Sequence, residues 1–218
     1  MIKALHILLA DDHELILSGL KATLDGEPGW KVVGMAKNGI EAVQMAGTLC
    51  PHVAVLDISM PELNGIEATR QIRRASPATE VLILTMHNSE VIVRDVLAAG
   101  AKGFILKTDT SRLLKTAIES LAAHQTFFTG NASDVILQGY LDPSAKPGEG
   151  DAHKRLSPRE REVIQLLAEA HSSKDVAARL GVSFKTVEAH RSNIMRKLNL
   201  HSVAQIVRYA IRNEIIHP

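Results

Sequence analysis

The chain has a single cysteine, Cys50, among its 218 residues, so an internal disulfide is excluded. Cys50 closes an apolar helix pattern just before Pro51. That position reads as a small buried or half-buried thiol of a reducing compartment, not a catalyst. No Cys and His cluster has the spacing of a zinc module. Long apolar runs are also missing: none approaches the ~20 residues needed to cross a bilayer. Strand-like sequence begins at once, with no signal-peptide pattern. A soluble, cytoplasmic protein without a membrane partner is expected. Gly (14) and Pro (8) are too few for a disordered chain, and no repeat or low-complexity tract is present. Net charge is nearly nil at +1, but it is unevenly distributed. Residues 152–218 hold 12 Lys and Arg against 6 Asp and Glu, a balance of +6, while residues 1–151 hold 13 against 18, or −5. An acidic half and a basic half suit a metal- and phosphate-handling module joined to a nucleic-acid-binding one.

What is present is a 45% hydrophobic content, ample for a core, arranged in short runs that end on polar residues. His6-Ile7-Leu8-Leu9-Ala10 leads into Asp11-Asp12, and Val53-Ala54-Val55-Leu56 leads into Asp57. Val81-Leu82-Ile83-Leu84 leads into Thr85, and Gly103-Phe104-Ile105-Leu106 leads into Lys107. Such runs, separated by helix-period segments, read as buried strands of a parallel α/β sheet. Functional groups of these sheets collect at the carboxyl ends of the strands, where strand order reverses. The runs therefore deliver three acids, a hydroxyl and an ammonium to one rim. Three carboxylates there repel one another unless a cation joins them, which points to a hard divalent ion such as Mg2+.

Strand signals fall near 5–10, 31–36, 53–57, 81–85 and 103–107, with amphipathic stretches near 13–25, 39–49, 65–75, 89–99 and 110–123. This is a (βα)5 chain with right-handed crossovers. Residues 131–140 have some helical period, and 142–151 are rich in Pro, Gly and charge, as a linker is. From Leu156 onward the pattern is helical. Ser157-Pro158-Arg159-Glu160 is a helix start, with a capping Ser, Pro first and Glu third. Asp175 to Leu180 forms a second helix stopped by Gly181; Ser183 caps a third to about Asn199, and Ser202 a fourth to about Asn213.

The first part resembles the receiver domain of bacterial two-component response regulators. The residues concerned are Ala10-Asp11-Asp12-His13, Asp57-Ile58-Ser59-Met60-Pro61-Glu62-Leu63-Asn64-Gly65, Thr85 and Lys107. The resemblance implies strand order 2-1-3-4-5 and a phospho-acceptor role for Asp57. It implies Mg2+ ligation by Asp12, Asp57 and the Ser59 carbonyl, with Asp11 acting through water. Lys107 would bind a phosphoryl oxygen, and Thr85 would be the switch hydroxyl. Phe104 is then either the aromatic switch or ordinary core. Ser59 and His87 sit at the positions that tune acyl-phosphate lifetime, His87 being equally a plain loop residue. Thr108 stands where many receivers have a cis-proline.

The C-terminal part resembles the LuxR-type helix-turn-helix of the NarL/FixJ regulators. Here the residues are Leu156 to Val163, Lys174-Asp175-Val176-Ala177, Leu180-Gly181-Val182-Ser183 and Thr186 to Ile194. The helix from Lys185 to Lys197 would enter the major groove. Val187, Ile194 and Leu198 would face the core with Ile164, Leu167, Val176 and Leu180. Lys174, Lys185, Thr186, Glu188, Ala189, His190, Arg191, Ser192, Arg196 and Lys197 are the expected DNA contacts. Lys185, Arg196 and Lys197 would meet phosphates and Glu188, Ala189, Arg191 and Ser192 base edges, while His190 is phosphate contact or packing. Glu188 stands where relatives often have Lys, Ala170 where they have Gly, and Ser173 where they have Asn. The last two are expected at the turn before the second helix. The fourth helix is core, or core plus a dimer face.

The expected architecture is thus a doubly wound α/β receiver domain, 1–125, a linker, 126–151, and a small all-α four-helix domain, 152–218. The implied protein is a transcriptional response regulator. Its partners would be a sensor histidine kinase, double-stranded promoter DNA and, when active, a second copy of itself. Two rivals are weaker. A receiver serving only as a dimerisation scaffold would usually have lost one of Asp11, Asp12, Asp57, Thr85 or Lys107. An aspartyl-phosphate phosphatase would need a substrate cap, for which no insertion is long enough.

Overall fold

Leu, Ile and Val crowd the strand positions, and a strand that consists of them throughout must be covered on both faces. The computed structural model, which describes residues 4–86, 89–129, 132, 156–213 and 215–216, meets that demand. His87, the helical stretch expected in 131–140 and the linker at 142–151 lie outside the described residues, save Ala132. The strands are β1 (Leu5–Ala10), β2 (Trp30–Ala36), β3 (Val53–Asp57), β4 (Glu80–Thr85) and β5 (Gly103–Leu106). Every residue of β3 and β4 is buried. All pairings are parallel, in the order β2-β1-β3-β4-β5 and then a further strand, β6 (Phe127–Phe128). The register sets Ala10 beside Leu56 and Asp57 beside Leu84. The residues that follow β1 and end β3 and β4 therefore share one rim.

β6 is an addition to the five expected strands. Two residues are too short to show alternation, and the segment reads as the start of a linker. Its pairing is nonetheless regular: Gly103 faces Phe127 and Phe104 faces Phe128. The amide of Thr129 donates to the Phe104 carbonyl at 3.2 Å. β5 is one residue shorter than expected, because Lys107 opens a 3₁₀ turn, Lys107–Asp109.

Helices α1 (Glu14–Asp25), α2 (Gly39–Leu49), α3 (Gly65–Ala75), α4 (Glu90–Ala99) and α5 (Thr110–Ala122) connect the strands. Asn38, Asn64 and Ser89 cap α2, α3 and α4, each side chain accepting an amide of the first turn. Leu17, Leu20 and Leu24 of α1 and Leu114, Ile118 and Leu121 of α5 pack over Ile7, Leu9, Val55 and Leu84. Cys50 corrects the expectation made for it: it is exposed. It ends α2 in the left-handed region, φ 43°, and its place beyond the last helical turn leaves the thiol at the surface.

The amino-terminal rim of the sheet holds a charged cluster that sequence patterns do not reveal. Glu80, 4% exposed, starts β4. Its Oε1 accepts from Lys102 Nζ at 2.9 Å and lies 2.9 Å from His124 Nδ1, while Oε2 is 3.5 Å from Arg73. Burial alone would raise its carboxyl, but the bonds from His124 and Lys102 and the charges of Lys102 and Arg73 hold it below its usual 4.5.

The C-terminal part forms a compact unit of its own. Its helices are α6 (Pro158–Ala168), α7 (Ser173–Leu180), α8 (Phe184–Leu198) and α9 (Val203–Arg212). The capping box of α6 joins Ser157 and Glu160 as expected. α7 begins two residues earlier than expected, because Ser172 and Asp175 form a second capping box. Ser173 is thus the first helical residue and not part of the preceding turn. Ala170, which does lie before α7, adopts φ 66°, a region that favours Gly. Gly181, at φ 63°, stops α7, Ser183 caps α8, and Asn199 ends it at φ 52°. Val163, Ile164, Val176, Val187, Ile194, Ile206 and Ala210 are wholly buried together, with Leu180 and Leu198 partly buried beside them. No described helix is long and apolar enough to cross a membrane.

Candidate functional site

The end of β1 and the end of β3 bring Asp11 and Asp57 together, 1% and 3% exposed. Lys107, just past β5, bridges them: Nζ lies 2.7 Å from Asp11 Oδ2 and 3.0 Å from Asp57 Oδ2. Asp12 points to solvent more freely, and its Oδ1 is 2.9 Å from His13 Nδ1. Asp11 also folds back on the chain, its Oδ1 accepting the His13 amide at 2.9 Å. Thr85 ends β4 on the same rim and is completely buried.

Burial pushes the Asp57 carboxyl upward from its usual 3.8. Lys107 opposes that shift, but the negative charges of Asp11 and Asp12 add to it. Lys107 itself is raised: burial would lower it, and the Asp11 bond and the Asp57 charge outweigh that. Three carboxylates share this rim with one ammonium, so the site has an excess of negative charge. That is the donor set a hard divalent cation takes, and Asp11, Asp12 and His13 alone bring ligand atoms within 4.8 Å of one another. These residues fit the ion.

Two further residues belong to the site. His13, the residue just before α1, contacts both Asp11 and Asp12, a role that its place beside them in the sequence leaves unstated. Gly65 starts α3 with its amide on the Ile58 carbonyl, and a Cβ there would lie 2.0 Å from the Asp57 carbonyl oxygen. Only glycine lets α3 come so near the loop after β3. Ser59 lies in that loop, partly buried. Phe104, three residues before Lys107, is fully buried within β5.

The second cluster is on α7 and α8. Lys174, Lys185, Thr186, Ala189, Ser192 and Arg196 are exposed, and Glu188, His190, Arg191 and Lys197 are partly so. Val187 and Ile194 fix which face turns inward. Glu188 Oε1 accepts from Ser173 Oγ at 2.6 Å and lies 3.4 Å from Arg191. Lys197 stands apart: its Nζ donates at 2.6 Å to Glu160, a carboxylate 3% exposed. Burial raises the Glu160 carboxyl, but Lys197 and Ser157 together hold it below its usual 4.5. On α9, Ile206 and Ala210 are buried and Val203 is 41% exposed.

A parallel sheet with buried acids and a lysine at its carboxyl rim, followed by a helix-turn-helix bundle, defines a receiver module joined to a DNA-binding module. Comparison with known proteins agrees. The model of the response regulator receiver domain matches residues 7–119, and that of the bacterial regulatory proteins of the luxR family matches 154–210. The chain belongs to the NarL/FixJ, or LuxR-type, response regulators: it is a DNA-binding response regulator of a two-component system.

The chain is similar to oxygen regulatory protein NreC of Staphylococcus epidermidis, 36% identical over 214 residues, covering 96% of this chain and 98% of that protein. Similarity to transcriptional regulatory protein MctR of Rhizobium johnstonii is 32%, covering 97% and 95%. Among solved structures, RcsB of Salmonella enterica serovar Typhimurium, bound to promoter rprA with the phosphomimetic BeF3-, aligns with TM-score 0.63 and 27% identity over 95% of this chain and 98% of that one.

Proposed function

We propose that Asp57 is the phospho-acceptor and that its phosphorylation controls promoter binding by the C-terminal helices. The observation behind this reading is the Lys107 ammonium bridging two buried carboxylates, one of which burial and its neighbours keep raised. An Asp57 oxygen attacks the phosphorus of a phosphohistidine on a sensor histidine kinase. The new O–P bond forms as the P–N bond breaks, and the imidazole leaves with the electron pair and takes up a proton. Asp57 is then an acyl phosphate, which water later hydrolyses. The protein thus promotes only its own phosphorylation and dephosphorylation.

Asp12, Asp57 and the Ser59 carbonyl, with Asp11 in support, would hold Mg2+. When bound, the ion supplies neutralising charge beside the phosphoryl oxygens. Lys107 pairs with one of those oxygens, and the Thr85 hydroxyl donates to another, drawing its loop inward. Phe104 is the proposed partner of that movement. The proposed division is receiver at 1–125, linker at 126–151 and DNA-binding domain at 152–218.

Lys174, Lys185 and Arg196 are the proposed phosphate contacts, with Thr186 and His190 beside them. Glu188, Ala189, Arg191 and Ser192 face base edges. Lys197 ranks last among the contacts, since its ammonium already closes on Glu160. Val203 and its neighbours on α9 are the proposed dimer face, so that two copies engage paired half-sites. RcsB of Salmonella enterica serovar Typhimurium is bound to a promoter in the presence of the phosphomimetic BeF3-, which supports promoter binding here. Cytoplasmic residence follows from the same role.

The test is retention of promoter DNA with and without a small-molecule phosphodonor and Mg2+, for wild type and Asp57→Ala. Donor-dependent tightening that Asp57→Ala lacks is expected. Equal, tight binding in all four conditions would make the receiver a scaffold and overturn the switch.

A further inference from the structure

Glu188 is an acid on a helix face that otherwise presents Lys185, Arg191 and Arg196, next to Lys174 of α7. Facing a phosphate-rich duplex, a carboxylate there weakens binding unless it meets a donor. The surrounding contacts bear on how it does so. Ser173, at the first position of α7, reaches across the turn and donates to Oε1 at 2.6 Å. Arg191, three residues along the same helix, approaches that same oxygen at 3.4 Å. Both contacts fall on Oε1, and Oε2 has no hydrogen-bond partner among the described residues. One carboxylate oxygen is thus anchored from the neighbouring helix and the other is left to accept. The Ser173 hydroxyl is not occupied with capping, which falls to Ser172.

We infer that Ser173 is a positioning residue for Glu188, and that the pair reads a cytosine in each half-site. The inference rests on the DNA-binding reading given above. Among major-groove donors, the cytosine amino group suits a lone carboxylate oxygen. Adenine also offers an amino group, but its N7 acceptor lies alongside and repels the charge. Arg191, held one turn away by the same oxygen, is a donor placed to take the guanine of that pair or of its neighbour. Anchoring Oε1 before binding removes rotamer freedom that a free Glu would lose on the DNA, so the preference is sharpened in advance.

The experiment selects from a pool of random-sequence duplexes with the full-length protein, phosphodonor and Mg2+, comparing wild type, Glu188→Ala, Ser173→Ala and Ser173→Thr. Wild type should enrich a paired motif with cytosine at one fixed position of each half. Glu188→Ala should lose the preference there, and Ser173→Ala should weaken it by about ten-fold at that position alone. Ser173→Thr keeps the hydroxyl and should keep the cytosine. The far-UV circular dichroism of Ser173→Ala should match that of wild type, which separates positioning from a general loss of structure. A motif whose base frequencies are unchanged in Ser173→Ala, or a cytosine that survives Glu188→Ala, would overturn the inference with DNA binding intact. No enriched motif in wild type would overturn the DNA-binding reading and the inference together.

Discussion

The two rims of the receiver sheet solve opposite electrostatic problems with the same residue types. At the amino-terminal rim one buried acid, Glu80, faces Lys102, Arg73 and His124, and its carboxyl is held below its usual range. At the carboxyl rim Asp11 and Asp57 face Lys107 with Asp12 beside them, and Asp57 is pushed up. Cations outnumber acid at one end, and acids outnumber cation at the other. The first arrangement has its charge covered and ties β4 to α3, β5 and the end of α5. The second is short of positive charge, which is the condition for taking up a cation and a phosphoryl group. Both rims have the same sheet behind them, so the difference lies in side chains at strand ends and not in the fold.

Removing charge at either end tests that contrast. The largest effect is expected for Lys107→Ala, which leaves Asp11 and Asp57 buried without their ammonium. Breaking such a pair costs about 3–5 kcal/mol. Denaturant unfolding should show that loss, and a negligible change would mean the acids are already neutralised another way. Glu80→Gln removes the acid from the balanced rim, where the cations remain partly exposed and recover hydration. A smaller loss of about 1–3 kcal/mol is expected at neutral pH. Because the folded Glu80 carboxyl is lowered, its stabilisation is present above 4.5 and is lost as pH falls through the folded value. The wild-type and Glu80→Gln curves should therefore converge in acid.

Asp57→Asn should move the other way. The folded Asp57 carboxyl is raised above 3.8, so its ionisation opposes folding above the folded value. That penalty fades as pH drops toward 3.8. The variant should be more stable than wild type at neutral pH and no different in acid, measured against wild type across the same pH series. A loss of stability at neutral pH would show that Lys107 compensates the acid in full.

The rim that carries the proposed site was the legible one. Each of its groups follows an apolar run, so Asp11, Asp57, Thr85 and Lys107 are located by strand ends alone, and the parallel register does the rest. Helix boundaries were legible where a cap stands alone, as Ser183 before α8 and Gly181 after α7. The start of α7 was expected at Asp175, two residues late, because the box that joins Ser172 to Asp175 makes that acid the third residue of the helix and not its first. What the sequence did not reveal was pairing at a distance. Lys197 with Glu160, Ser173 with Glu188 and Glu80 with Lys102 join different elements, and no local period reports them. β6 escaped for another reason: its two residues gain their strand geometry from the β5 edge and not from their own pattern.

Gly65 sets a limit on how this protein can vary. Every other amino acid brings a Cβ, and at this position that atom meets backbone of the loop bearing Asp57, which has no flexible end to swing aside. Gly19, in the middle of α1, is the reverse case: an added Cβ meets nothing within 4 Å, and alanine there would favour the helix by about 0.5–1 kcal/mol. The two glycines look alike in composition, yet one is free to drift across generations and the other is closed to nearly every codon change. Surviving lineages of this chain should therefore scatter at residue 19 and stay fixed at residue 65.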